Sequence, residues 1–490
     1  MLRRLLTLWG LALGGMASAA AQPGIELMAA PAWAAWSRPG RASEIDIRVT
    51  AAAATRVTLE LVAGRQTVRA ELDLQPGRAI RLHLPVASAP TVTLSAGQPG
   101  AAPLRRELAV AQSESPLLGL ALADGTATPA QGIEGFNSVA LTADDLPRNA
   151  SAYASIDALM LDAATLGALD QRQLDALLAH AAACGRVAVV SADDALRRLL
   201  QGAAGCGGRA MLHAASLAEA RGLLVESLAT ILPATMSPAT LGGVTEPDHA
   251  MWRRVAVALA VYFAAAAIVL LFFTSTVALV LAPALVAVAA VLFLHAAPPT
   301  SRIVVWGESE SGAQVARYQG LQQFAGVARG TLRVPLPPQL ASGARPCDAT
   351  QTMQLDFDVA QAQAVLARFD SRLFGQTALC YAGSFPVSRA LASQMHADGS
   401  REITNAAGSA WPAGLLLAAG QVHDLPALGP GERQRVVADA GVPPRDAVAR
   451  MALARTAPGG VAALWALDLA GVPDLPAVAR GWLLVSGAAP

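Results

Sequence analysis

The stretch VAVALAVYFAAAAIVLLFFTSTVALVLAPALVAVAAVLFLHAA, residues 255–297, holds no Asp, Glu, Lys or Arg and separates two long halves of the chain. A helix crossing about 30 Å of hydrocarbon uses about 20 apolar residues, so this run is roughly twice one span. Thr274-Ser275-Thr276 interrupts it near the middle. The reading is a transmembrane hairpin over 252–297, with spans at 253–273 and 277–297. Pro283 falls early in the second span, where a helix tolerates it. Trp252 and Tyr262 stand where aromatic side chains anchor a helix at the membrane surface.

Toward the N-terminus, residues 1–21 read as a signal peptide. Arg3 and Arg4 precede an apolar stretch from Leu5 to Met16, and Ala17-Ser18-Ala19-Ala20-Ala21 offers small-residue cleavage sites. Export places residues 22–250 outside the cytoplasm, and a two-helix hairpin returns the chain to the same side. The expected location is the bacterial inner membrane, with both soluble halves facing the periplasm. Arg253, Arg254 and Arg302 pull against this orientation, because basic residues favour the cytoplasmic side.

Residues 22–112 alternate apolar and polar side chains in Glu44–Val49, Arg56–Val62 and Thr67–Leu72, with Pro39-Gly40, Pro76-Gly77 and Pro99-Gly100 as turns. Period two puts one face of each strand on a core, which predicts a small β-sandwich. Trp33 and Trp36 are expected to pack in that core or at its edge. Residues 113–248 switch to alternating strands and helices. Strands are expected at 117–122, 138–141, 158–161 and 187–190, with an amphipathic helix over 170–181, a pattern that predicts a parallel α/β sheet. Residues 300–490 predict a C-terminal α+β or mostly β domain. Its expected helices lie at 313–324 and 360–368, and its expected strands at 302–306, 331–336, 353–359, 378–381, 414–417 and 482–485.

The run SIDALMLDAATLGALDQRQLDALLAHAAACGRVAVVSADD, residues 155–194, resembles a segment of class I glutamine amidotransferase-like domains. Domains of that kind occur in bacterial membrane proteins beside von Willebrand A-type proteins and AAA-type ATPases. Asp157, Leu161, Asp162, Leu169, Gln173, Leu177, Gly185 and Val187–Val190 carry the resemblance. Active members place a nucleophilic Cys on a strand-to-helix elbow and a His-x-Glu pair downstream. Here Cys184 ends a helix, and no His-x-Glu occurs. The resemblance therefore implies a fold without glutaminase chemistry.

Composition narrows function further. All 36 basic residues are Arg and balance 36 acidic ones. Zero net charge gives no field to attract nucleic acid. Without Lys there is no Walker A loop and no Schiff base, so neither nucleotide nor other cofactor is expected. The seven histidines are scattered and form no metal-ligand spacing. Cys184 with Cys206, and Cys347 with Cys380, read as disulfides in an oxidising compartment, with four buried thiols as the other reading. The expected protein is thus not an enzyme but a membrane-anchored scaffold or accessory protein of the cell envelope. Its expected partners are the lipid bilayer and other membrane or envelope proteins. The alternative is an envelope hydrolase with an unrecognised active site, for which Cys184, Ser384 and His423 are the residues to suspect.

Overall fold

The computed structural model describes residues 24–123, 133–182, 185–193, 195–196, 211–228, 238–242, 249–272, 284, 286–288, and 300–487 except 312, 314, 326–329, 338–342, 348–350, 372–376, 388–390, 399, 438–440, 457–459, 468 and 470–477. Strands dominate the chain. In Thr55–Ala63, Val57, Leu59 and Leu61 are fully buried while the residues between them are not. This strand turns through Gly64, at φ 58°, into Gln66–Leu74, which pairs with it antiparallel.

These two strands sit inside a seven-strand sheet. Its order is Gly330–Pro335, Gln363–Ser371, Met353–Asp358, Gln66–Leu74, Thr55–Ala63, Thr91–Gly97 and Leu104–Ala109. Gln66–Ala70 runs parallel to Met353–Phe357 in direct register. A three-strand sheet, Ile25–Pro31, Ala42–Ala51 and Ile80–Ala87, shares its core. The expected sandwich of 22–112 is therefore corrected: three of its strands come from beyond residue 300. Alternation reports that a strand has a buried face, but it is silent on which strand lies alongside.

A five-strand sheet follows in the order Asn137–Leu141, Leu117–Ala121, Ala158–Asp162, Val187–Val190, Met211–Ala214, with every pairing parallel. Helix Gln171–Ala182 buries Gln173, Ala176, Leu177 and Ala181. Ala176, Leu177 and Ala181 pack in the core on one face of this sheet, and Ala220 and Leu224 of helix Leu217–Leu228 pack in the core on the other. Both faces are thus covered, as parallel sheets require.

The largest sheet has eight strands: Arg345–Pro346, Thr377–Pro386, Val315–Ala325, Thr300–Glu310, Val478–Ser486, Val461–Leu467, Gly414–Ala418 and Gln421–Leu425. Thr300–Glu310 is parallel to Val478–Ser486 and the other pairings are antiparallel, so the sheet is mixed. The Cys347–Cys380 disulfide, with Cα atoms 5.0 Å apart, joins the short edge strand to its neighbour. A three-strand sheet contains Leu391–Met395, Arg401–Asn405 and Arg433–Val436, and Trp36–Ser37 pairs in parallel with Ala111–Gln112.

Two expected helices are strands, Val315–Ala325 and Gln363–Ser371. Ala316, Tyr318, Gln322 and Phe324 lie buried two apart or a multiple of two, the period of a sheet. In 360–368 alanine-rich composition favours a helix, but pairing on both sides with Met353–Asp358 and Gly330–Pro335 overrides propensity.

The membrane reading is also corrected. No helix among the described residues is long and apolar enough to cross a membrane. Helix His249–Phe272 carries Arg253 and Arg254 within its first two turns. Nearly all of the second span, the Thr-Ser-Thr turn and the signal peptide lie outside the described residues. The expected fold class, hairpin included, gives way to a mostly β protein whose sheets are largely antiparallel or mixed. The inner-membrane, periplasm-facing placement is corrected on the same finding, that no helix among the described residues is long and apolar enough to cross a membrane.

Candidate functional site

Three sheets meet at a charged junction that begins with the segment after Pro31. Trp33, Ala34 and Ala35 take φ of 59°, 48° and 65°, a left-handed turn built without glycine. The turn buries Trp33, whose Nε1 donates to the Ala152 carbonyl at 3.0 Å. Its indole meets Tyr153 edge-on, and Tyr153 in turn stacks on His180, each at 5.0 Å between centroids. This aromatic stack fixes the start of the segment that carries Arg38 and Arg41.

Both arginines converge on Asp157, the residue before the central parallel strand. Arg38 Nη1 lies 2.7 Å from Oδ2 and Arg41 Nη2 lies 3.3 Å from Oδ1. The backbone N–H of Leu117 also donates to Oδ2, at 2.9 Å. Arg41 Nη1 donates to the Ala154 carbonyl and Arg38 Nη2 to the Glu114 carbonyl. The carboxylate thereby ties the sandwich to the amino-terminal ends of the parallel strands.

Arg186, just before strand Val187–Val190, and Arg317 and Arg345 of the eight-strand sheet complete the cluster. Burial pulls Arg317 down to about 10; Arg186 adds to the fall, Glu310 opposes it, and Arg41 contributes further repulsion. Burial lowers Arg186, with Glu310 and Asp157 opposing. Arg41 is lowered by burial against the pull of Asp157, and Arg38 repels it. Arg345 is lowered by burial and by Arg41. All five are half-buried residues. Glu308, the next carboxylate, is engaged by Arg455 and by Trp306 Nε1 at 2.9 Å. Guanidiniums remain charged at neutral pH even at the lowered value, so the junction can hold an anion but cannot shuttle protons.

A second polar group lies nearby on the sandwich. His83 Nδ1 is 3.4 Å from Glu44 Oε1 and 3.5 Å from Asp46 Oδ1. The Arg148 N–H donates to Glu44 Oε1, and Arg81 pairs with Asp46. These bonds link Glu44 to the loop before residue 150, and the group contains no nucleophile.

The suspected hydrolase residues do not assemble. Cys184 and Cys206 lie outside the described residues. Ser384 sits opposite Arg317 on strand Thr377–Pro386. His423 is on the far edge strand, buried, its Nε2 without a partner and its pKa lowered by that burial. Five strands separate the two in one sheet, which at about 4.8 Å per step is roughly 29 Å. Cys347 and Cys380 are consumed in their disulfide. Among the described residues no three His, Cys, Asp or Glu side chains form a metal-binding group.

The arginine cluster was invisible in the sequence because its members are spread from residue 38 to residue 345. Only Arg38-Pro39-Gly40-Arg41 is local, and that reads as an ordinary turn. The chain matches no family model and no curated protein. The amidotransferase resemblance of 155–194 therefore finds no support, and the junction's chemistry has to be argued from its own residues.

Proposed function

We propose that the protein is a non-catalytic scaffold that binds protein partners, and that the edge strand Leu391–Met395 is where an extended partner segment pairs. The supporting observation is the state of that strand. It lies at the edge of its sheet, and Ala392, Ser393, Gln394 and Met395 are all exposed. It carries no charge and no proline, the two devices that usually blunt an edge. The edge strand Leu104–Ala109 of the seven-strand sheet, by contrast, carries Arg105, Arg106 and Glu107.

Register says which backbone groups are open. The N–H of His396 donates to the Ser400 carbonyl, so in this hairpin His396, Gln394 and Ala392 bond across to the neighbouring strand. The alternate residues Ser393 and Met395 turn their N–H and C=O groups outward. A partner strand gains main-chain hydrogen bonds there, and alternate side chains provide selectivity.

Ser393→Pro tests this directly. Proline removes the outward N–H without touching a bond inside the sheet. Crosslinked pull-downs are expected to recover a partner with the wild-type chain and to lose it with S393P at equal protein level and equal melting temperature. Identical recovery by both proteins, or no partner with either, overturns the reading.

A further inference from the structure

We propose that the edge strand Leu391–Met395 pairs antiparallel with the same strand of a second copy of this chain, in one register, with Gln394 on the two-fold axis. This inference rests on the edge-strand reading above and names its partner. The open backbone groups set the register. Leu391 turns its carbonyl away from Arg401–Asn405, as Ser393 and Met395 do, but that carbonyl already accepts from Ser311 Oγ at 2.6 Å. Past Met395 the chain enters the hairpin turn, where the His396 N–H donates to the Ser400 carbonyl at 2.9 Å. Ser393 and Met395 are exposed, and their outward N–H and C=O groups meet no partner among the described residues.

An axis through Gln394 sets Ser393 opposite Met395 of the second copy, and Met395 opposite Ser393. Each such pair exchanges two N–H···O bonds, so every open group is used and Leu391 keeps Ser311. An axis through Ser393 would instead call on the occupied Leu391 carbonyl, and one through Met395 would set Ser393 against the turn. The two Gln394 side chains then face each other across the axis, where each amide can both donate and accept. Charge permits the approach. The strand has no charged residue and the whole chain has zero formal net charge, so no long-range repulsion separates two copies. On the next strand Glu402 lies opposite Gln394 and is paired with Arg433 at 2.9 Å. The two copies of Glu402 stand three strand steps apart, about 14 Å, beyond the reach of screened surface charges.

Sedimentation of the full chain over a range of concentrations is the test. The wild type is expected to show a reversible monomer–dimer equilibrium, and Ser393→Pro to remain monomeric because symmetry deletes the bond twice. Gln394→Arg keeps an ion-pair partner for Glu402 within the chain but sets two guanidiniums face to face at the axis. Its dimer is expected to be lost at low salt and to return as salt screens the repulsion. Crosslinking reads the register. In Gln394→Cys the new thiols face each other with Cα atoms about 4.5 Å apart, within disulfide reach. In Ala392→Cys they are four residues out of line, about 14 Å along the strands. Oxidised glutathione is therefore expected to link Gln394→Cys into dimers, and to leave Ala392→Cys at the wild-type level. A wild type that stays monomeric at every concentration, while Ser393→Pro still abolishes recovery of a different protein in the pull-down, overturns self-pairing and leaves the edge-strand reading standing. A dimer that persists in folded Ser393→Pro or in folded Gln394→Arg at low salt, or equal crosslinking at both positions, overturns the proposal as well.

Discussion

Ala34 is exposed and holds φ of 48°, with Trp33 and Ala35 in the same left-handed region on either side. An L-residue there costs roughly 1–2 kcal/mol, which the burial of Trp33 offsets. Ala34→Gly removes the steric penalty and no packing, so it is expected to stabilise the protein by about 1 kcal/mol. A urea midpoint that stays put or falls would show that the turn is not strained. His180 gives a pH prediction at the same scale. Its Nε2 is buried without a partner, and burial first, then Arg317 and Arg186, lower its pKa to about 3. A histidine depressed in the folded state binds fewer protons than in the unfolded state between those two values. Its contribution is therefore complete above about 6.5 and is lost as pH falls toward 3. The melting temperature is expected to drop across that window, and His180→Phe, which keeps the stack on Tyr153, is expected to flatten the drop. A parallel drop in both proteins would assign the acid sensitivity to other groups.

Elements were legible where one face of a strand meets water. Glu44–Val49, Arg56–Val62 and Thr67–Leu72 alternate visibly, and each falls inside a strand. The stretches 313–324 and 360–368 misled because glutamine and alanine favour helices, while neighbours remote in sequence impose the sheet. The short edge strand Arg345–Pro346 offers two residues to its sheet and depends on the adjacent disulfide for its place. Closing the loop between Cys347 and Cys380, which are 33 apart in sequence, contributes about 3–4 kcal/mol on chain-entropy grounds. Replacing both cysteines by alanine is expected to lower stability by that order, and Arg345, two residues away, is expected to lose its fixed position. An unchanged denaturation midpoint in the double variant would show that strand pairing alone holds this edge.

At the scale of the whole molecule, the seven-strand sheet joins strands of 55–109 to strands of 330–371, a pairing that no local pattern announces. The candidate site failed to show for the same reason: its arginines meet only after three sheets have formed. Residues 24–123 expressed alone are expected to leave Gln66–Leu74 as an open edge, missing Met353–Asp358. Such a fragment should bind a hydrophobic dye and show broad proton resonances, and adding a peptide of residues 330–371 should sharpen them. A fragment that is monomeric and natively folded without the peptide would restore the simple sandwich. The parallel pairing of Gln66 with Met353 also sets a schedule. A ribosome adds roughly 5–20 residues per second, so Gln66–Leu74 emerges about 15–60 s before the strand that completes its sheet. For that interval a newborn chain carries an unfinished sheet whose missing partner has not yet been translated, and it is then that a chaperone has most reason to hold it.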